Sequence, residues 1–132
     1  MNKVRGIRGA IQVRENTRQS LLDATKALLK SLLRENEIAP EDIASIFFTA
    51  TDDLNAEFPA YAAREMGLTT VPLLCAREMQ VPGNMSRLIR ILMHVNTDKS
   101  QKQIKHQYLG ETASLRPDIN MGDMNDDSHN ED

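Results

Sequence analysis

Apolar and polar residues alternate from Lys3 to Val13, "KVRGIRGAIQV", with Arg5, Ile7, Gly9, Ile11 and Val13 on one face and Val4, Gly6, Arg8, Ala10 and Gln12 on the other. A period of two predicts a strand. Gly6 and Gly9 inside it predict a close approach by another backbone or a ligand. The period then changes. Leu21, Leu22, Leu28, Leu29, Leu32 and Leu33 recur at helical spacing in "NTRQSLLDATKALLKSLLREN", with Asn16 predicted as N-cap and Gln19 three residues on. Ile43 to Thr51 is a second strand. "FPAYAAREMG" is a short helix with Pro59 in its first turn and Gly67 as its stop.

Val71 to Cys75, "SRLIRILMHVN" and "QIKHQYLG" predict three further strands, giving the order β-α-β-α-β-β-β. Short antiparallel connections at the end and helical crossovers earlier predict an α+β fold, a mixed sheet with helices packed on it. The length fits one domain, residues 1–118. Residues 119–132, "INMGDMNDDSHNED", hold five acids and no Lys or Arg, and read as an acidic tail expected to be disordered.

That tail changes the picture of charge. The formal net is −3, but removing its five acids from the 19 leaves 14 against 16 cations, a body of +2. Ten of those cations are Arg, suited to gripping carboxylates in a bidentate fashion. No Lys/Arg block is long enough for a nucleic-acid stripe, and no apolar run could span a bilayer. The N-terminus has no apolar run and small-residue cleavage site of the secretory kind, and one cysteine fits a reducing compartment, so a cytoplasmic location is expected. No phosphate-binding glycine loop, CxxC, HExxH or acidic calcium loop is present, and neither cofactor nor metal is expected.

The chemistry gathers around one anomaly. Arg90 interrupts "LIRILMHV", a strand apolar on both faces and so expected to be buried on both. A buried cation needs a partner, either Glu78 or another acid in a structural ion pair, or a ligand carboxylate or electron-rich oxygen. Arg8, between Gly6 and Gly9, raises the same question, although an arginine at a strand edge commonly faces solvent. Cys75 has no His or Asp at a spacing that would activate it and reads as a small buried hydrophobe. Tyr108 alternates with Ile104 and His106 as a core tyrosine would. Several arginines, one carboxylate and one tyrosine, without a nucleophile or metal pattern, point to chemistry by placement of charge.

The segments "VRGIRGA", "TATDDLNAEFPAYAARE", "VPLLCAREMQVPG", "LIRILMHV" and "YLGETASLRPD", in this order and spacing, resemble the AroH class of monofunctional chorismate mutases over residues 3–118. The resemblance implies conversion of chorismate to prephenate in phenylalanine and tyrosine biosynthesis. It also implies a pseudo α/β-barrel homotrimer with helices on one side of each sheet and active sites between subunits. It assigns Arg90 to the ether oxygen and a carboxylate of the substrate, Arg8 to a carboxylate, Glu78 to the ring hydroxyl and Tyr108 to the enolpyruvyl carboxylate. Cys75, Ala76 and Arg77 would line the substrate site beside Glu78. Phe58, Ala60, Leu74 and Leu115 would shape its walls, and Arg64 and Arg116 would guard its mouth. Two positions depart from the family pattern. Tyr61 stands where a basic residue is expected, which predicts weaker electrostatic capture, and Leu74 where a small hydroxyl residue is expected. Two alternatives fit the same residues. One is a trimeric enamine/imine deaminase, disfavoured by the Glu78–Arg90 spacing and "LRPD". The other is a non-catalytic module for a small dicarboxylate, which would tolerate loss of Glu78.

Overall fold

The computed structural model describes residues 2–115. Arg116 and the 119–132 tail therefore lie outside the described residues. The strands are β1 (Lys3–Gln12), β2 (Ile43–Ala50), β3 (Leu73–Arg77), β4 (Leu88–Thr97) and β5 (Gln107–Tyr108). The helices are α1 (Arg18–Glu35) and α2 (Ala60–Glu65), with 3-10 turns at Pro40–Asp42, Gln101–Gln103 and Gly110–Leu115. The five strands form one mixed sheet in the order β3-β2-β4-β1-β5. β4 lies between β1 and β2 and is antiparallel to both, while the outer pairs β2–β3 and β1–β5 are parallel.

One face of the sheet packs against the helices. Ile7 from β1, Ile46 and Phe48 from β2, and Ile89, Ile91, Met93 and Val95 from β4 are buried there against Leu21, Leu22, Leu28, Leu29 and Leu32 of α1 and Ala62 and Ala63 of α2. A fully buried leucine contributes roughly 1.5–3 kcal/mol relative to an exposed one, so the five α1 leucines are what hold the helix to the sheet. Gly9 shows why the predicted close approach needed a glycine. A Cβ at this position would sit 2.8 Å from the carbonyl oxygen of Gln107 and 3.0 Å from Leu28 Cδ1. Gly6 faces only an ordinary contact, 3.8 Å from Leu92.

Four local expectations are corrected. Thr17, not Asn16, caps α1, its Oγ1 accepting from the Ser20 N–H at 3.1 Å. Asn16 serves a different segment, accepting from the N–H groups of Asn55 and Ala56 at 3.1 Å each. β3 begins at Leu73 rather than Val71, because Pro72 has no N–H to donate and enters the ladder only through its carbonyl, which accepts from Ile46. β5 shrinks to two residues. Asn36 takes both backbone groups of Lys105, accepting its N–H at 2.7 Å and donating to its carbonyl at 2.9 Å, so the chain before Gln107 pairs with a side chain instead of a strand. The antiparallel connections expected near the chain end are absent among the described strands, since β3 and β4 are separated by β2, and β5 joins β1 in parallel.

The other sheet face carries alternate residues of the same strands. Arg90, Leu92 and His94 are half-buried there, while Phe47 and Leu74 are exposed, so β4 is covered on one face and largely open on the other within a single chain. Leu88 is the exception, buried under Tyr108. No helix among the described residues is long and apolar enough to cross a membrane.

Candidate active site

Register places one residue from each strand in a single transverse row. Tyr108 lies opposite Ala10, Ala10 opposite Arg90, Arg90 opposite Thr49, and Thr49 opposite Ala76. Directly opposed residues point to the same side of a sheet, so Tyr108, Arg90 and Thr49 share the face away from the helices. Arg8 lies on that face in the next row, opposite Leu92. Its backbone N–H donates to Nδ1 of the buried His106 at 3.0 Å, which fixes the strand at the base of its side chain.

Glu78 follows directly on β3, its N–H donating to the Ala50 carbonyl at 3.0 Å. Its Oε2 accepts from the Thr49 hydroxyl at 2.6 Å and lies 2.8 Å from Arg90 Nε. The two contacts differ in kind. The Thr49 contact is a hydrogen bond, whereas the buried Arg90 Nε–H is not aimed at the carboxylate and has no hydrogen-bond acceptor. Arg90 and Glu78 are thus a contact ion pair in which the guanidinium keeps donor capacity. The Glu78 side chain is 14% exposed and that of Arg90 34%, so the cation opens toward the sheet face and the anion is tucked beneath it.

The entry to β4 is clamped. Asp53 accepts from the Arg87 N–H at 3.0 and 3.2 Å and from the Thr51 hydroxyl at 2.6 Å. Thr51 Oγ1 in turn accepts from the Leu88 N–H, and Arg87 Nε donates to the Val13 carbonyl at 2.8 Å. Partial burial opposes the charge on Asp53, yet the Thr51 hydroxyl and the Arg87 N–H outweigh it and hold its carboxyl below the usual range. Three residues beyond this clamp, Arg90 is held before anything binds.

The remaining predicted residues fall into two other places. Tyr108 is buried against Ala10, Leu88 and Met85, with Leu115 packed beside it. A cleft of about 420 Å³ lies where β3 meets the loop before α2, lined by Ala50, Leu54, Asn55, Ala56, Glu57, Phe58, Pro59, Cys75, Ala76 and Arg77. Phe58 is 69% exposed at its side. Cys75 pairs with Phe48 and packs on the core, so it points to the helix side of the sheet, opposite Leu74 and Ala76. Burial pushes its thiol up, partly offset by the Ala60 N–H and by the charge of Arg64. Arg77 donates to the carbonyls of Thr51 and Leu54 at 3.0 and 3.2 Å and so braces the cleft wall. Arg8, Glu78, Arg90 and Tyr108 do not line this cleft.

The sequence reading missed Thr49 and His106 as supports. Thr49 had a signal: it is polar and alternates with Phe47 in a strand that is apolar apart from it and Ser45. His106 had none beyond its place between Ile104 and Tyr108.

The chain and its fold have counterparts among known proteins. The family model for chorismate mutase type I matches residues 4–119. Chorismate mutase AroH of Thermus thermophilus is 50% identical over 117 residues, 88% of this chain and 96% of the relative. Chorismate mutase AroH of Bacillus subtilis (strain 168) is 44% identical over 119 residues, 89% and 94% of the two chains. A solved chorismate mutase from Clostridium thermocellum superposes with a TM-score of 0.82 at 48% identity, covering 83% of this chain and 98% of that one. The chain belongs to the type I chorismate mutase family.

Proposed function

We propose that this protein is a chorismate mutase of the AroH kind, which converts chorismate to prephenate on the path to phenylalanine and tyrosine. The observation that carries the reading is the Arg90–Glu78–Thr49 arrangement in a member of this family. The reaction is an intramolecular [3,3] rearrangement. The bond between the ether oxygen and the ring carbon breaks as a carbon–carbon bond forms, and no proton or group leaves the molecule. Catalysis then has two parts. The substrate must be held in a compact conformer, and the negative charge that builds on the ether oxygen must be met by a fixed donor.

Arg90 suits the second part. Its guanidinium opens toward the sheet face, and its position at mid-strand in the central β4 avoids reorganisation during the reaction. In our reading Arg90 faces the ether oxygen and a carboxylate, and Glu78 favours the electron-poor ring and accepts from its hydroxyl. Arg8 and Tyr108 hold the carboxylates from the same sheet face. Cys75, as a neutral thiol, lines the site with Leu74, Ala76 and Arg77. Phe58, Ala60 and Leu115 shape its walls, while Arg64 and Arg116 guard the mouth.

This reading requires more than one copy. Within a chain, Cys75 and Phe58 border a cleft that does not include Arg90 or Tyr108, and Cys75 points away from the face that bears Arg90. A complete site would pair the cleft of one subunit with the arginine face of the next, as a homotrimer with intersubunit sites provides. The exposed Phe47 and Leu74 and the half-buried Leu92 on that face supply apolar surface for such an assembly. Incubation with chorismate tests the reading directly: its ultraviolet absorbance should fall with stoichiometric appearance of prephenate. Unchanged chorismate in the presence of folded protein would reject it.

A further inference from the structure

Tyr61, in the first turn of α2, stands between two guanidinium groups. Arg18 Cζ lies 5.5 Å from its ring centroid and Arg64 Cζ 5.7 Å. Both distances are within the range in which a cation is drawn to the face of an aromatic ring. The two cations are not equivalent. Arg18 is neutralised, its Nε donating to Glu57 at 2.9 Å and its terminal nitrogen lying 3.5 Å from Glu65. Lys26 takes the other Glu65 oxygen at 2.6 Å. Arg64 has no carboxylate within ion-pair distance among the described residues. Three residues after Tyr61, it shares one side of the helix with the ring. The helix that carries it starts directly after Phe58 and Pro59, which line the cleft, and its charge acts on the Cys75 thiol there.

We infer that Tyr61 is a positioning residue for substrate capture. Its ring fixes Arg64 on the helix that borders the cleft while Arg18 and Lys26 absorb the neighbouring carboxylates, leaving one uncompensated cation to draw in a dianion. The inference rests on the reading of chorismate as substrate. It also revises the expectation that a tyrosine at this position simply weakens capture: the ring holds a cation instead of supplying one. Without the ring, Arg64 is free to swing toward Glu57 or Glu65, where its charge would be spent.

The test is a double-mutant cycle on the full-length protein, read as KM and kcat for chorismate. Tyr61→Leu should raise KM about two- to fivefold, the worth of one exposed cation–π contact, with kcat within about twofold. Tyr61→Phe, which keeps the ring, should restore the KM. In an Arg64→Ala background Tyr61→Leu should add nothing, because the ring would have no cation left to hold. The Tyr61→Leu effect should also shrink as salt is raised. An active wild-type protein whose KM is unmoved by Tyr61→Leu, or moved equally without Arg64, overturns this inference alone. A wild-type protein that leaves chorismate unchanged overturns the functional reading and this inference with it.

Discussion

Arg90 Nε and Glu78 Oε2 approach to 2.8 Å without a hydrogen bond, because the Nε–H is not aimed at this oxygen, which accepts from the Thr49 hydroxyl instead. Threonine, glutamate and arginine come from three neighbouring segments, so the pair is set by sheet register and not by side-chain flexibility. A charge held this way keeps its direction when the substrate arrives, which is the condition for electrostatic preorganisation.

Replacement of Arg90 by lysine keeps the charge but loses the planar fork. Turnover is expected to fall about a hundredfold or more, on the scale of removing an oxyanion-type donor. Single-turnover kinetics with circular dichroism to verify folding would check it. Near-normal turnover would remove Arg90 from the centre of the mechanism.

Thr49→Val preserves strand shape and deletes the hydroxyl that orients Glu78. The lost bond is charge-assisted, and about tenfold in kcat/KM is expected. Glu78→Gln should cost more, because it removes the charge itself. Equal activity of Thr49→Val and wild type would show that Glu78 holds its place unaided.

Subunit mixing tests the assembled site. Arg90→Ala and Phe58→Asp should each be nearly inactive alone, the first lacking the central cation and the second placing an anion at the cleft. Co-refolded in equal amounts, they should regain about a quarter of wild-type activity if each site draws Arg90 from one chain and Phe58 from its neighbour in a closed ring. No recovery in verified mixed oligomers would place both residues in the same subunit's site.

The pH dependence follows from the absence of a proton-transfer step. No bell centred near neutrality is expected between about pH 6 and 8. Burial raises the Cys75 pKa, so the folded protein favours the neutral thiol. A raised pKa contributes stability that is fully present below the unfolded thiol value and is lost as pH rises through the folded one. Cys75→Ser should therefore retain substantial activity at neutral pH, and Cys75→Ala should lose less stability than wild type on the alkaline side. At the acid end the signs reverse. Glu57 is held below its usual range by the Phe58 N–H and Arg18, and Glu65 by Lys26, so their contributions are present above the unfolded carboxylate pKa and fade as pH falls through the folded values. A steep activity step near the histidine range, or abolition of activity in folded Cys75→Ser, would contradict the pericyclic mechanism.

Gly9→Ala would drive a methyl group to within 2.8 Å of the Gln107 carbonyl and into Leu28. Overpacking of this kind costs about 1–3 kcal/mol, so thermal unfolding should move several degrees lower. An unchanged melting temperature would mean that β5 yields without cost.

Much of this was legible locally. The period-two pattern of β1 and the leucine stripe of α1 survive almost residue for residue, because each is dictated by one continuous apolar face. The lone charge inside the β4 pattern calls for a partner to Arg90, and Glu78, one of the partners the sequence offers, lies against it within the chain. What escaped depended on partners distant in sequence. Asn36 captures Lys105 and truncates β5, and Asn16 is drawn away from the helix cap by the Asn55 loop. Neither rival interaction leaves a local signature. The insertion of β4 between β1 and β2 is also invisible to periodicity, which reports faces and not neighbours.

That insertion has a consequence for how the molecule is made. Gln12 pairs with Leu88 and Lys3 with Thr97, so the centre of the sheet closes only between residues lying far apart along the chain. Local pairing can form the α1 helix and the β2-α2-β3 unit early, but β1 and β2 have no strand between them until β4 emerges from the ribosome. Topologies dominated by such distant pairings fold slowly, and a nascent chain stopped before Leu88 would present unpaired edges of both β1 and β2 to the cell's chaperones. The segment that joins the two halves of the sheet is the one that carries Arg90. Synthesis therefore cannot yield a joined sheet that lacks the cation, and the cation does not reach its place until β1 and β2 are joined through β4.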